Sequence, residues 1–144
     1  MLTMEREEVW NGLRNVLVGG KDGCMDEILI VDDDPIVRHF IHRMLRIQGY
    51  TCTEVEHGQE AINYLRTHRP SLIITDQQMP VMTGIQLLET LLGQLKGPPI
   101  PTILLAKDNE CGVSDRAKEL GVHTVLSKPL DYRKIILAVS AALS

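Results

Sequence analysis

Three carboxylates stand side by side at Asp32, Asp33 and Asp34, a fourth lies at Asp76, and Lys128 directly precedes Pro129. Each of these positions closes a short apolar run: Ile28–Val31 before the aspartate triplet, Leu72–Thr75 before Asp76, and Val122–Leu126 just ahead of Lys128. Short, continuously apolar runs are expected of strands buried on both faces. In an open parallel sheet, ligands bind beyond the carboxyl ends of the strands, where the strand order reverses. Several carboxylates and one lysine gathered there form a site for a hard divalent cation and a phosphoryl group. Carboxylates some 4 Å apart would repel by about 4 kcal/mol at an effective dielectric near 20. A bound cation removes that penalty, and Lys128 can pair with phosphoryl oxygens.

The elements needed to position these groups follow from hydrophobic periodicity. After the first strand, Pro35 suits the first turn of a helix, and Val37, Phe40, Ile41 and Met44 mark one helical stripe that ends at Gly49. Thr51–Val55 reads as a strand, Gln59–Arg66 as a helix, and Leu72–Thr75 as a strand. Gly84–Leu95 is then a helix, Thr102–Leu105 a strand, Cys111–Leu120 a helix, Val122–Leu126 a strand, and Leu130–Leu143 the last helix. Strands alternating with helices imply a parallel sheet covered on both faces and wound by right-handed crossovers. The last helix reaches the end of the chain, so no output domain is expected.

Residues 1–26 read as a helical extension and linker, and residues 27–144 as one domain. Val9, Trp10, Leu13, Val16 and Leu17 fall at helical spacing before the break at Gly19-Gly20-Lys21-Asp22-Gly23. That stripe is expected to pack on the domain or on a second copy in a homodimer. The linker shows only Gly-Gly-Lys, short of a full phosphate-binding loop.

Composition narrows the classes further. Of 144 residues 44% are apolar, and the net charge of −4 comes without any basic block, which disfavours nucleic acid as a partner. Cys24, Cys52 and Cys111 are odd in number and widely spaced, so neither a disulfide framework nor a zinc site is expected. No run approaches the roughly 18 apolar residues of a membrane span, and Met4-Glu5-Arg6-Glu7-Glu8 is unlike a signal peptide. The expected location is a reducing cytoplasm.

Three segments together resemble a known family. Ile28-Leu29-Ile30-Val31-Asp32-Asp33-Asp34-Pro35, Ile73-Ile74-Thr75-Asp76-Gln77-Gln78-Met79-Pro80-Val81-Met82-Thr83-Gly84 and Ser127-Lys128-Pro129 resemble, in order and spacing, the receiver domains of bacterial response regulators. That resemblance implies a flavodoxin-like (βα)5 doubly wound parallel sheet with strand order 2-1-3-4-5. It implies that Asp76 attacks a phosphohistidine to give an acyl phosphate. Asp33, Asp76 and the Gln78 carbonyl would ligate Mg²⁺, Asp32 would hold a metal-bound water, and Lys128 would bridge to the phosphoryl group. The Lys128–Pro129 bond would be cis. Expected partners are a histidine kinase or histidine phosphotransfer protein and a downstream effector protein, and the chain would be a phosphoryl acceptor rather than an enzyme.

Two positions depart from the family pattern. Ala106 stands where a Ser or Thr hydroxyl usually bonds the phosphoryl group, and Val125 where an aromatic ring usually follows it. Two rivals therefore stand beside the main reading. One is an interaction module that does not rely on phosphorylation. The other is an aspartate-nucleophile phosphohydrolase, against which Gln78 counts because a second Asp usually occupies that place. Blander readings are that Asp34 caps a helix, and that Arg38, His42 and Arg46 form a solvated basic face unless they dock a kinase.

Overall fold

The computed structural model describes residues 26–108 and 110–144; the helix expected over the first residues lies outside them. Five strands and five helices alternate along the chain. The strands are β1 (Glu27–Val31), β2 (Thr51–Val55), β3 (Leu72–Asp76), β4 (Thr102–Lys107) and β5 (Thr124–Lys128). Between and after them run α1 (Pro35–Ile47), α2 (Gly58–Leu65), α3 (Gly84–Gln94), α4 (Val113–Glu119) and α5 (Tyr132–Leu143).

All strand pairs are parallel, in the order β2-β1-β3-β4-β5, which is the expected winding. Alternate residues of each central strand face opposite layers. Ile28 and Ile30 of β1 join Ile41 and Leu45 of α1 and Ile135 and Val139 of α5. Leu29 and Val31 join Ile62 of α2 and Leu87 and Leu91 of α3 on the other side. This explains why β1 and β3 read as unbroken apolar runs: neither face meets water. The winding reverses between β1 and β3, so the loops after these two strands diverge and leave a crevice between them.

Local signals place the helix ends. Asp34 caps α1, its carboxylate accepting the Ile36 N–H at 2.9 Å with Pro35 in the first turn. Thr83 and Gln86 form a reciprocal capping box at the start of α3. At the end of α4, Gly121 (φ 80°) donates to Lys118 O and Val122 to Ala117 O, a Schellman closure. That closure consumes Val122, so β5 begins at Thr124, two residues later than its apolar pattern suggests, and runs on to Lys128. Among the described residues no helix is long and apolar enough to cross a membrane.

Candidate functional site

The carboxyl ends of β1, β3 and β5 bring together the predicted charged residues. Asp32 follows β1 directly, held by its N–H donating to Val55 O, and is only 1% exposed. Its Oδ1 accepts the Asp34 N–H at 2.9 Å, whereas Oδ2 is buried without a hydrogen-bond partner. Burial pushes the Asp32 carboxyl up to about 6, and the carboxylates of Asp76 and Asp33 add to this against the Asp34 N–H and the Lys128 ammonium. Asp33 lies beside it, exposed.

Asp76 ends β3 and is 3% exposed. Lys128, the last residue of β5, sets its Nζ 2.7 Å from Asp76 Oδ1. At that distance the ammonium and the carboxylate form an ion pair. Even with this neighbour, burial holds the Asp76 carboxyl above its ordinary value. One ligand oxygen each from Asp32, Asp33 and Asp76 lies within 4.8 Å of the other two. Three converging carboxylates, one with an orphaned buried oxygen, are a donor set that fits a hard divalent cation with oxygen ligands. The Lys128–Pro129 peptide is cis, as expected.

The loop after β3 is braced by contacts that the sequence pattern does not reveal. Gln77 is buried; its N–H donates to Leu105 O, its carbonyl accepts from Gly84, and its side-chain Oε1 accepts from Ile85 at 2.8 Å. Gly84 packs so closely that a Cβ there would lie 2.6 Å from Asp76 O and 2.7 Å from Leu104 Cδ1. Only glycine lets α3 start against the back of Asp76. Gln78 sits exposed in the loop between these braces.

Ala106 is buried on β4, paired in register with Ser127 of β5, and Val125 is half-buried opposite Leu104. Thr102 lies at the opposite end of β4. The basic face foreseen on α1 is only partly solvated. Arg46 is exposed, but Arg38 is buried and His42 half-buried, and both bond to Glu54 of β2. Helical spacing alone put the three together; the acidic partner comes from a neighbouring strand.

Comparison with known proteins identifies the family to which this fold belongs. The family model described as the response regulator receiver domain matches residues 28–140. The DNA-binding transcriptional regulator NtrC of Klebsiella pneumoniae is 31% identical over 115 residues, covering 80% of this chain and 24% of its own length. The probable transcriptional regulatory protein TcrX of Mycobacterium tuberculosis is 32% identical over 124 residues, 85% of this chain and 51% of its own. The chain thus spans between a quarter and a half of these relatives. Among solved structures, the chemotaxis response regulator CheY4 of Vibrio cholerae superposes with a TM-score of 0.76 at 26% identity, covering 83% of this chain and all of that one. A receiver domain of a signal transduction histidine kinase from Syntrophus aciditrophicus gives 0.75 at 35% identity, over 82% and 89%. With three acidic donors and a lysine converging at the switch point of the same fold, the chain belongs to the receiver-domain family of two-component response regulators.

Proposed function

We propose that this receiver accepts a phosphoryl group on Asp76 from the phosphohistidine of a histidine kinase or phosphotransfer protein, with Mg²⁺ held by Asp33, Asp76 and the Gln78 carbonyl. The observation that carries the proposal is the Asp76 carboxylate at the crevice floor, 2.7 Å from Lys128 and converging with Asp32 and Asp33. A carboxylate oxygen of Asp76 attacks phosphorus, the P–N bond breaks, and the leaving imidazole takes up a proton. The product is a mixed anhydride on Asp76. Bound Mg²⁺ would neutralise the carboxylates and the phosphoryl oxygens, the electrostatic role common to phosphoryl transfer. Asp32, with its free Oδ2, suits a water of the metal's shell. Lys128 exchanges its contact with Asp76 for one with the transferred group, keeping the charge paired.

The readout is weaker than the transfer. Ala106 has no hydroxyl to bond the phosphoryl group, and Val125 has no ring to swing in behind it. The experiment is to add beryllofluoride with Mg²⁺ and follow backbone amide shifts. Saturable shifts around Asp33, Asp76 and Lys128 that vanish with EDTA are expected. Their absence in the folded protein would overturn the proposal and favour a phosphorylation-independent interaction module.

A further inference from the structure

Arg38 is a cation buried to 6% exposure beside the acidic crevice, yet it touches none of the carboxylates that form the crevice. Its guanidinium Nη1 donates to the carbonyl oxygen of Asp32 at 2.8 Å, and its Nε donates to Glu54 Oε1 at 2.9 Å. The Asp32 carbonyl belongs to the peptide that links Asp32 to Asp33. A peptide is planar, so holding that oxygen restrains ψ of Asp32 and φ of Asp33, and with them the directions in which the two side chains leave the backbone. At this point the chain has left β1 and not yet entered α1, and the buried carbonyl would otherwise need a partner.

Glu54 gives the brace its rigidity. It projects from β2, in register with Ile30 of β1, and takes two further contacts from α1, His39 Nδ1 at 2.6 Å and His42 Nδ1 at 2.5 Å. Burial would raise its carboxyl, but hydrogen bonds from His42 and Arg38 and the nearby imidazole of His39 outweigh burial and hold it below its ordinary range. The ionised carboxylate therefore balances the guanidinium, and strand β2, helix α1 and the Asp32–Asp33 peptide are tied at one point. Burying a charge is costly unless it is paired and hydrogen-bonded. Helix packing alone would be served by an apolar side chain of similar length.

We infer that Arg38, locked by Glu54, is a positioning residue that orients the Asp32–Asp33 pair toward the divalent cation. This rests on the reading of Asp32, Asp33 and Asp76 as a cation site, and the controls separate the two. Outer partners of a metal site typically change affinity by about 10–100-fold when lost. The test uses the full chain as wild type, Arg38→Met and Arg38→Lys, titrated with Mg²⁺ by amide shifts of Asp33 and Asp34 and with Mn²⁺ by electron paramagnetic resonance. Thermal unfolding in EDTA reports the metal-free fold of each. The expected result is cation affinity weakened on the order of tenfold or more in Arg38→Met, with a cooperative melt in EDTA, and an intermediate loss in Arg38→Lys. Lysine can reach the carbonyl but cannot fork to Glu54 as well. Affinity within about twofold of wild type in both variants would overturn the inference, because the loss expected for an outer partner is about tenfold at least. Should Arg38→Met fail to fold, Arg38→Lys decides alone: weakened binding supports the brace and unchanged binding overturns it. A wild type that binds neither cation would instead remove the cation site itself.

Discussion

Val81 is the residue at which the backbone is most clearly strained. It adopts φ 70° and is fully exposed, in the loop between the Asp76 strand and α3. A β-branched side chain in the left-handed region is a true outlier and costs about 1–2 kcal/mol. Val81→Gly is expected to stabilise the fold by about 0.5–1 kcal/mol, less than the full strain because glycine gives the unfolded chain more freedom. Urea denaturation measures this, and a destabilised variant would show that the valine makes a contact worth more than its strain. Asp32 supplies a second expectation. Its folded carboxyl is raised from 3.8 to about 6, so the metal-free fold binds the proton more tightly than the unfolded chain does. That contribution to stability is full below 3.8 and lost as pH rises through about 6. Mg²⁺ competes for the same charge, so its affinity should fall as pH drops below about 6. Calorimetric titrations at several pH values check this, and a flat profile from pH 5 to about 7.5 would contradict it.

The elements around Asp76 hold it by backbone contact as much as by side chains. Gly84→Ala would drive a Cβ to 2.6 Å from Asp76 O. It is expected to cost about 1–3 kcal/mol by overpacking and to weaken Mg²⁺ binding as β3 shifts. A variant matching wild type in both melting and Mg²⁺ titration would refute the close fit. On β4, Ala106→Thr restores a hydroxyl whose charge-assisted bond to a phosphoryl oxygen is worth about 1.5–3 kcal/mol. With beryllofluoride, amide shifts over residues 106–127 should be small in the wild type and larger in the variant. Large wild-type shifts there would mean that the domain switches by another route. Asp32, Asp33, Asp76 and Lys128 were legible in the sequence because each ends an apolar run, and strand ends are where such a sheet binds ligands. Gly84 and Gln77 were not, since their roles depend on how closely α3 approaches the back of β3. Arg38 was misjudged as part of a solvated face because helical periodicity shows which residues share a side. It does not show that Glu54, sixteen positions beyond Arg38 on β2, waits there to pair with both Arg38 and His42.

At the scale of the molecule, the alternation of strands and helices gave a parallel sheet covered on both faces, and the strand order followed from the resemblance to receiver domains. Most element ends lie within two residues of the expected ones, and the late start of β5 at Thr124 comes from the closure at Gly121. Residues 1–25 lie outside the described structure, and the sequence supplies the expectation there. A stripe of Val9, Trp10, Leu13, Val16 and Leu17 is costly to leave in water, at about 25 cal/mol per Å². Trp10 is the single tryptophan, so its emission should lie to the blue of free tryptophan and move to the red in denaturant. An emission already at the solvent-exposed limit would show that the stripe packs on nothing. On the proposed reading, the fold presents one carboxylate, Asp76 at the end of β3, for phosphoryl transfer. Intact-mass spectrometry after acetyl phosphate and Mg²⁺ tests it most directly. The account predicts one added phosphoryl group, lost on hydroxylamine treatment and absent from Asp76→Asn. Equal labelling of Asp76→Asn, or no labelling of the folded wild type, would contradict it.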